Sequence, residues 1–197
     1  MGAANCYIIH NEKEALIVDP GAEAKKIKNK LSDLKVQPLA ILLTHTHYDH
    51  IGAVDEIRNE YDLPVYVSPE ENDWLADPSK NLSAMLGSPI RVNKANHLFN
   101  PDEHLTIGDF SFRVLATPGH SPGGLSFVFD DERFVISGDA LFAGGVGRSD
   151  FPGSDGDQLL RGIREKLFTL PDDYTVYSGH GPKTTIKEEK TNNPFFN

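Results

Sequence analysis

The chain has 197 residues, 39% of them hydrophobic and 24% charged, with a formal net charge of −10. That composition marks a globular protein with a core and excludes a disordered chain. The acidic balance excludes general nucleic-acid binding, which needs a basic stripe, and the longest apolar runs are strand-sized, too short to span a bilayer.

In chain order, Cys6 to Ile9 and Ala15 to Val18 read as paired strands around the turn-like Asn11-Glu12-Lys13. Ala24, Ile27, Leu31 and Leu34 recur at spacings of three and four, the signature of one apolar helix face. Leu39 to Leu43 reads as a buried strand. Val54, Ile57 and Tyr61 mark a helix expected to start close to His50, with its positive dipole end near that residue. Val65 to Val67 is a short strand, and the mixed stretch from Pro69 to Phe99 is expected to be a helical excursion over the core, with Pro78, Gly87 and Pro89 breaking any long element. Further strands are expected at Phe110 to Leu115, Leu125 to Phe129, Phe134 to Ile136 and Tyr174 to Tyr177. Ser154-Asp155-Gly156-Asp157 resembles a helix start with an acidic residue three positions after the cap, followed by a stripe of Leu160, Ile163 and Leu167. A short charged helix closes the chain. Strands and helices alternating in this way suggest two layers of sheet with helices outside. The length fits one domain over 1–197.

The chemistry is concentrated in Thr44-His45-Thr46-His47-Tyr48-Asp49-His50, directly after the apolar strand. In an extended segment side chains alternate, so His45 and His47 face the same way, Asp49 extends that period and His50 breaks it. A solvated polar turn is the bland account, but packing does not need so many metal-ligand types together. Imidazole and carboxylate suit zinc, manganese and non-haem iron. Three isolated candidates follow in small-residue surroundings after strand-like runs: His120, Asp139 and His180. Five histidines and two aspartates are enough for two metal ions sharing one bridging carboxylate.

On these residues the chain resembles the metallo-β-lactamase-fold hydrolases, and within them the short glyoxalase II-like (hydroxyacylglutathione hydrolase-like) group. The similarity runs from Asn5-Cys6-Tyr7 and Asp19-Pro20-Gly21, through His-x-His-x-Asp-His, to Asn193-Pro194-Phe195. It implies an α/β fold, an αββα sandwich of two packed mixed β-sheets with helices on the outer faces. It implies that His45, His47 and His120 hold one metal and Asp49, His50 and His180 a second, with Asp139 bridging. The cofactors implied are two divalent ions, zinc first, with iron or manganese as alternatives. The implied activity is hydrolysis of a thioester such as an S-2-hydroxyacyl thiol by a metal-bridging hydroxide, with Asp49 both ligating and orienting the nucleophile. Gly147-Arg148-Ser149-Asp150-Phe151 resembles the loop that presents a basic residue to the thiol's carboxylate, which makes Arg148 the substrate-binding candidate. The competing account of Arg148 is a loop arginine paired with Asp150. With seventeen residues after His180, no counterpart of the helical domain of full-length glyoxalase II is expected, which puts glutathione itself in question.

A mononuclear-iron persulfide dioxygenase shares the motif and a similar loop, and would place its iron on His45, His120 and Asp139. A lactonase or other ester hydrolase of the same fold is a further alternative. The expected partner is a small-molecule thioester, with no nucleic acid and no membrane, in a monomer or small homo-oligomer. Without a charged-then-apolar leader and with a single cysteine, a cytoplasmic address is expected. Met1-Gly2 opens like a myristoylation site, but Cys6 stands where that motif takes Ser or Thr. Relatives are expected to carry one more strand before Asn5. Cys6 reads as a small core residue. His10, His97 and His104 read as surface or packing residues, Trp74 and Phe195-Phe196 as packing anchors, and Ser137 as a packing residue.

Overall fold

The computed structural model describes residues 4–100 and 102–197. Met1, Gly2 and Ala3, on which the expectations for the amino-terminal edge rest, lie outside the described residues. The chain divides into two compact bodies. One runs to Phe99 and includes Thr106–Phe110; the other comprises Asn100–Leu105 and Ser111–Asn197.

In the first body β1 (Tyr7–His10) and β2 (Glu14–Val18) form an antiparallel hairpin. Asn11 builds its turn, the side-chain oxygen accepting from the amides of Lys13 and Glu14 at 2.7 and 2.8 Å. Helix α1 (Ala24–Leu34) buries Ala24, Ile27 and Leu31 and ends where Lys35 turns left-handed (φ 57°), its amide reaching the Leu31 and Ser32 carbonyls. Strand β3 (Gln37–Leu42) then pairs parallel to β2. The single turn α2 (Tyr48–Ile51) and helix α3 (Val54–Tyr61) lead to β4 (Val65–Val67), parallel to β3, and after a long excursion to β5 (His97–Leu98), parallel to β4. The sheet order is β1-β2-β3-β4-β5. Helices α1 and α3 pack on the face formed by Ala15, Ile17, Ile41, Leu43, Val65 and Val67. Each fully buried Leu or Ile contributes about 1.5–3 kcal/mol.

The second body carries a sheet of order β13-β12-β9-β8-β7-β6. Its strands are β6 (His104–Ile107), β7 (Phe110–Ala116), β8 (Leu125–Phe129), β9 (Phe134–Gly138), β12 (Thr175–Ser178) and β13 (Thr184–Thr185). A small hairpin of β10 (Leu141–Phe142) and β11 (Gly145–Val146) stands beside it. Strands β7, β8 and β9 run antiparallel in succession, and β12 lies parallel to β9. Helix α4 (Gly156–Gly162) continues into a π-helical turn over Ile163–Leu167, and α5 (Ile186–Asn192) closes the chain. Leu159, Ile163, Leu167, Tyr174, Val176 and Ile186 share the core with Val128 and Val135. Among the described residues no helix is long and apolar enough to cross a membrane.

Several elements depart from the sequence reading. Helix α3 begins at Val54 with Ala53 as its cap, so His50 sits in the separate turn α2 and not at the start of a long helix. The excursion from Pro69 to Phe99 carries its helix only in short pieces, as its breakers lead one to expect. It holds three single 3-10 turns, at Pro69–Glu71, Trp74–Ala76 and Ser83–Met85, because Pro78, Gly87 and Pro89 interrupt anything longer. The cap of α4 is Asp155, which accepts from the Gln158 amide at 2.9 Å. Ser154 is otherwise engaged, donating to the His120 carbonyl at 2.7 Å. The buried stripe of that helix is Leu159, Ile163 and Leu167, with Leu160 half-buried. Phe196 packs edge-on against Phe168, whereas Phe195 is 51% exposed and is not a buried anchor. His97, exposed, stacks on Tyr66, and Ser137 donates to the Leu141 carbonyl at 2.9 Å, both as packing residues.

Candidate metal centre

Parallel pairing decides which side chains meet. Val18 lies opposite Leu42 and Leu42 opposite Tyr66, so β2, β3 and β4 end at one edge of the first sheet. Side chains just beyond parallel strand ends share a crevice. From β2 that edge receives Asp19, from β3 the segment Thr44 to His50, and from the turn after β4 Glu71.

Within the segment the alternation holds. His45 and His47 lie with ring centroids 4.7 Å apart, edge to face, and His50 stands 4.1 Å from His45. All three are buried, and Asp49 is half-buried. Thr44 and Thr46 take the other register, and each is held by a buried carboxylate. Asp19, 1% exposed and left-handed at φ 49°, accepts from the Thr44 amide at 2.8 Å and its hydroxyl at 2.6 Å. Glu71, fully buried, accepts from the Thr46 amide at 2.7 Å and its hydroxyl at 2.9 Å.

These contacts fix tautomers. The single hydroxyl hydrogen of Thr44 goes to Asp19, so His45 Nδ1, 3.1 Å from that hydroxyl, donates to it. His50 Nδ1 donates to Asp19 Oδ2 at 2.9 Å. In both rings Nε2 then carries the lone pair, the state a metal-ligating imidazole needs. Asp19, His45 and His50 offer ligand atoms within 4.8 Å of one another. Asp19 thus holds Thr44 and the His50 ring in place through its two oxygens. Burial first and then the Asp49 charge push the Tyr48 phenol above its ordinary range, so it stays protonated.

The second body repeats the logic with separate residues. Strands β9 and β12 are parallel, with Ser178 opposite Gly138, so Asp139 and His180 leave from the same edge. β8 is antiparallel to β9, which returns the loop before Leu125, and with it His120, to that edge. Asp139 Oδ2 lies 3.4 Å from His120 Nε2 and 3.4 Å from His180 Nε2. His120 Nδ1 donates to the Arg148 carbonyl at 2.7 Å, leaving its lone pair on Nε2 towards the carboxylate. A lone pair facing a carboxylate oxygen is repulsive unless a cation joins them or the ring is protonated. The donor set therefore fits a divalent ion. Gly147 makes the approach possible: a Cβ there would stand 1.9 Å from the Asp139 carbonyl oxygen and 3.0 Å from His120 Cβ.

Arg148 gives His120 its backbone carbonyl, while its side chain forks onto Asp150 at 2.9 and 2.8 Å and lies 4.4 Å over the Phe151 ring. That hydrogen bond holds the Asp150 carboxyl below the usual carboxylate range. The pairing with Asp150 anticipated for Arg148 is present. Cys6 is half-buried against the first core, and burial, with Asp19 adding, pushes its thiol up to about 12, so it is no nucleophile at neutral pH.

Mixed sheets with helices, each sheet offering imidazole and carboxylate from one edge, describe a metal-binding α/β protein. Residues 1–180 match the Metallo-beta-lactamase superfamily, and the chain belongs to that family and has its fold. It is 49% identical over 195 residues to the probable metallo-hydrolase YqgX of Bacillus subtilis (strain 168), covering 98% of this chain and 92% of the relative. It is 37% identical over 196 residues to the hydroxyacylglutathione hydrolase GloC of Haemophilus influenzae, with 98% and 92% covered. Among solved structures, BLEG-1 B3 metallo-beta-lactamase superposes with a TM-score of 0.95 at 46% identity, covering 98% of this chain and 94% of that one. A di-iron-bound form of TTHA1623 superposes with a TM-score of 0.87 at 36% identity and the same coverage. The chain is accordingly a metal-dependent hydrolase of this superfamily.

Proposed function

We propose that the chain hydrolyses a thioester, such as an S-2-hydroxyacyl thiol, at a centre of two divalent ions. His45, His47 and His120 would hold one ion, Asp49, His50 and His180 the other, and Asp139 would bridge. The observation carrying the metal reading is the tautomer lock, with Nδ1 of His45, His50 and His120 each bonded to oxygen. The thioester is supported by the likeness to GloC, named as a hydroxyacylglutathione hydrolase. Zinc is the ion proposed first, and the di-iron-bound structural relative makes iron its rival.

Bound there, two divalent ions supply a Lewis acid and lower the pKa of water. The chain's own residues do the rest. Asp49, half-buried at the edge of the segment, accepts a hydrogen bond from the attacking water and orients it. Asp19 and the Arg148 carbonyl keep the imidazoles from rotating. Arg148 exchanges Asp150 for an anionic group of the thiol. Its stacking on Phe151 keeps the guanidinium in place through that exchange. A thiolate leaves readily, so no general acid is required.

The test is kinetics on S-lactoyl thioesters of several thiols, with metal content measured on protein purified without chelator. Thioester turnover is expected, and Asp139→Ala should abolish it and lower metal content towards one ion or none. Arg148→Ala should raise KM for an anionic thioester more than it lowers kcat. A β-lactam and, after anaerobic iron loading, a persulfide with oxygen uptake are run in parallel. Turnover of either by metal-replete protein that leaves thioesters intact would sink the thioester assignment.

A further inference from the structure

Arg148 is one half of a pair whose other half has no part in the proposed reaction. Asp150 takes the side-on fork of the guanidinium, with Nε at 2.9 Å and Nη2 at 2.8 Å. Among the described residues no other side chain hydrogen-bonds the guanidinium or the Asp150 carboxylate. Both side chains stand in water, 56% and 68% exposed, so the pair can part without stranding either charge in a dry interior. An ion pair this exposed is weak and exchangeable.

Its surroundings tie it to the site. The guanidinium carbon lies 4.4 Å from the centre of the Phe151 ring, and that ring meets the His120 imidazole edge to face at 6.0 Å. The Arg148 carbonyl also accepts from His120 Nδ1 at 2.7 Å. The aromatic contact engages the face of the guanidinium and not its N–H edge, so it persists when a carboxylate leaves that edge. What moves in such an exchange is Asp150. Two residues of backbone keep its carboxylate close, at an effective concentration of roughly millimolar or more, so a free anion displaces it poorly. An anion on a molecule already held through its thioester is tethered as well, and competes on comparable terms.

We infer that Asp150 is a specificity-determining residue, a tethered competitor for Arg148 that an anionic group of the thiol must displace. This rests on the thioester reading proposed above. The test uses a matched pair of substrates, the S-lactoyl thioesters of N-acetylcysteine, which is anionic, and of N-acetylcysteinamide, which is neutral. KM and kcat are measured on metal-replete wild type, Asp150→Ala, Arg148→Ala and the double variant. The Kd of the corresponding unreactive thioethers gives a readout of binding alone. Asp150→Ala should lower KM and the thioether Kd for the anionic member by up to about fivefold, the range an exposed ion pair commands. The neutral member should show no such fall. In the Arg148→Ala background, removing Asp150 should no longer favour the anionic member.

A raised KM for the anionic member in Asp150→Ala overturns competition and makes Asp150 a strut for the arginine. A fall that recurs with the neutral member, or without Arg148, overturns it in favour of a general field effect. Unchanged constants in Asp150→Ala overturn the inference, and a KM still raised by Arg148→Ala would then spare the arginine's role. No turnover of either thioester by wild type brings down the thioester reading and the inference together.

Discussion

The two bodies solve one problem by different means. Each delivers imidazole and carboxylate from the ends of parallel strands. The first does so with one contiguous segment whose alternate threonines are gripped by side-chain carboxylates, Asp19 on Thr44 and Glu71 on Thr46. The second uses three residues from three loops and relies on backbone, with the Arg148 carbonyl on His120 and Gly138 left-handed at φ 50° before Asp139. A run of ligands on one extended segment needs only its register held. Scattered ligands need each loop placed separately, and close backbone approach does that.

Both bodies share one device, and it gives the largest expected effect. A Cβ on Gly21 would stand 1.6 Å from the Asp49 carbonyl oxygen, and one on Gly147 1.9 Å from that of Asp139. Neither obstacle is a side chain that can swing away. Gly21→Ala and Gly147→Ala should each cost at least about 1–3 kcal/mol in urea denaturation. Metal content should separate them. On the proposed ligand set, displacing Asp139 should lower metal content more than displacing Asp49 does. Equal stoichiometry in the two variants would remove the distinction between a bridging and a terminal carboxylate.

A smaller effect tests how the second body places its loops. Glu189 on α5, 2% exposed, accepts from Thr184 Oγ1 at 2.6 Å, Asn193 Nδ2 at 2.7 Å and the Gly144 amide at 3.0 Å. Asn193 also donates to the Gly145 carbonyl at 3.1 Å. The tip of the β10–β11 hairpin is thus tied to the closing helix, and the same strand runs on to Gly147 and Arg148. Glu189→Ala leaves buried donors unmatched, at about 1–3 kcal/mol for such a group. Hydrogen exchange should speed up at Gly144 to Arg148 while the Thr44 and Thr46 amides keep their protection. Uniform acceleration would show that the variant loosens the whole chain and not one loop.

How much of this was legible follows from the same contrast. His45, His47, Asp49 and His50 announce themselves because their spacing is local, and the apolar run before them names the strand that carries them. His120, Asp139 and His180 were visible as isolated residues among glycines and prolines. The supports were not. Asp19 stands out only within Asp19-Pro20-Gly21, as part of the likeness to the family, although a charge directly after the buried β2 is a usable signal. Glu71 sits in Pro69-Glu70-Glu71-Asn72-Asp73, where nothing local separates the buried acid from its exposed neighbours. The β10–β11 hairpin was missed because its strands have two residues each, yet Gly144-Gly145 between Phe142 and Val146 is a turn signal. Leu159 and Leu160 stand four and three residues before Ile163, both helical spacings, so the pattern alone does not tell which of the two is buried.

The smallest effect contrasts a buried carboxylate with an exposed one. Asp130 is bonded by Arg113 at 2.6 and 2.8 Å and by the Tyr174 hydroxyl at 2.9 Å. The Arg113 hydrogen bonds hold its carboxyl below the ordinary value of 3.8. A carboxylate whose folded pKa lies below its unfolded one contributes stability above the unfolded value. That contribution fades as pH falls through the folded one. With side chains 37% and 44% exposed, the Arg113–Asp130 pair is screened and worth under about 1 kcal/mol. Asp130→Asn should therefore lower Tm slightly at pH 7, and the gap to wild type should narrow towards pH 3 and with added salt. A gap that is the same at both pH values would mean that the carboxylate's charge contributes nothing. The pair would then act as a hydrogen-bonded contact, as the neutral grip of Tyr174 on the same residue already does.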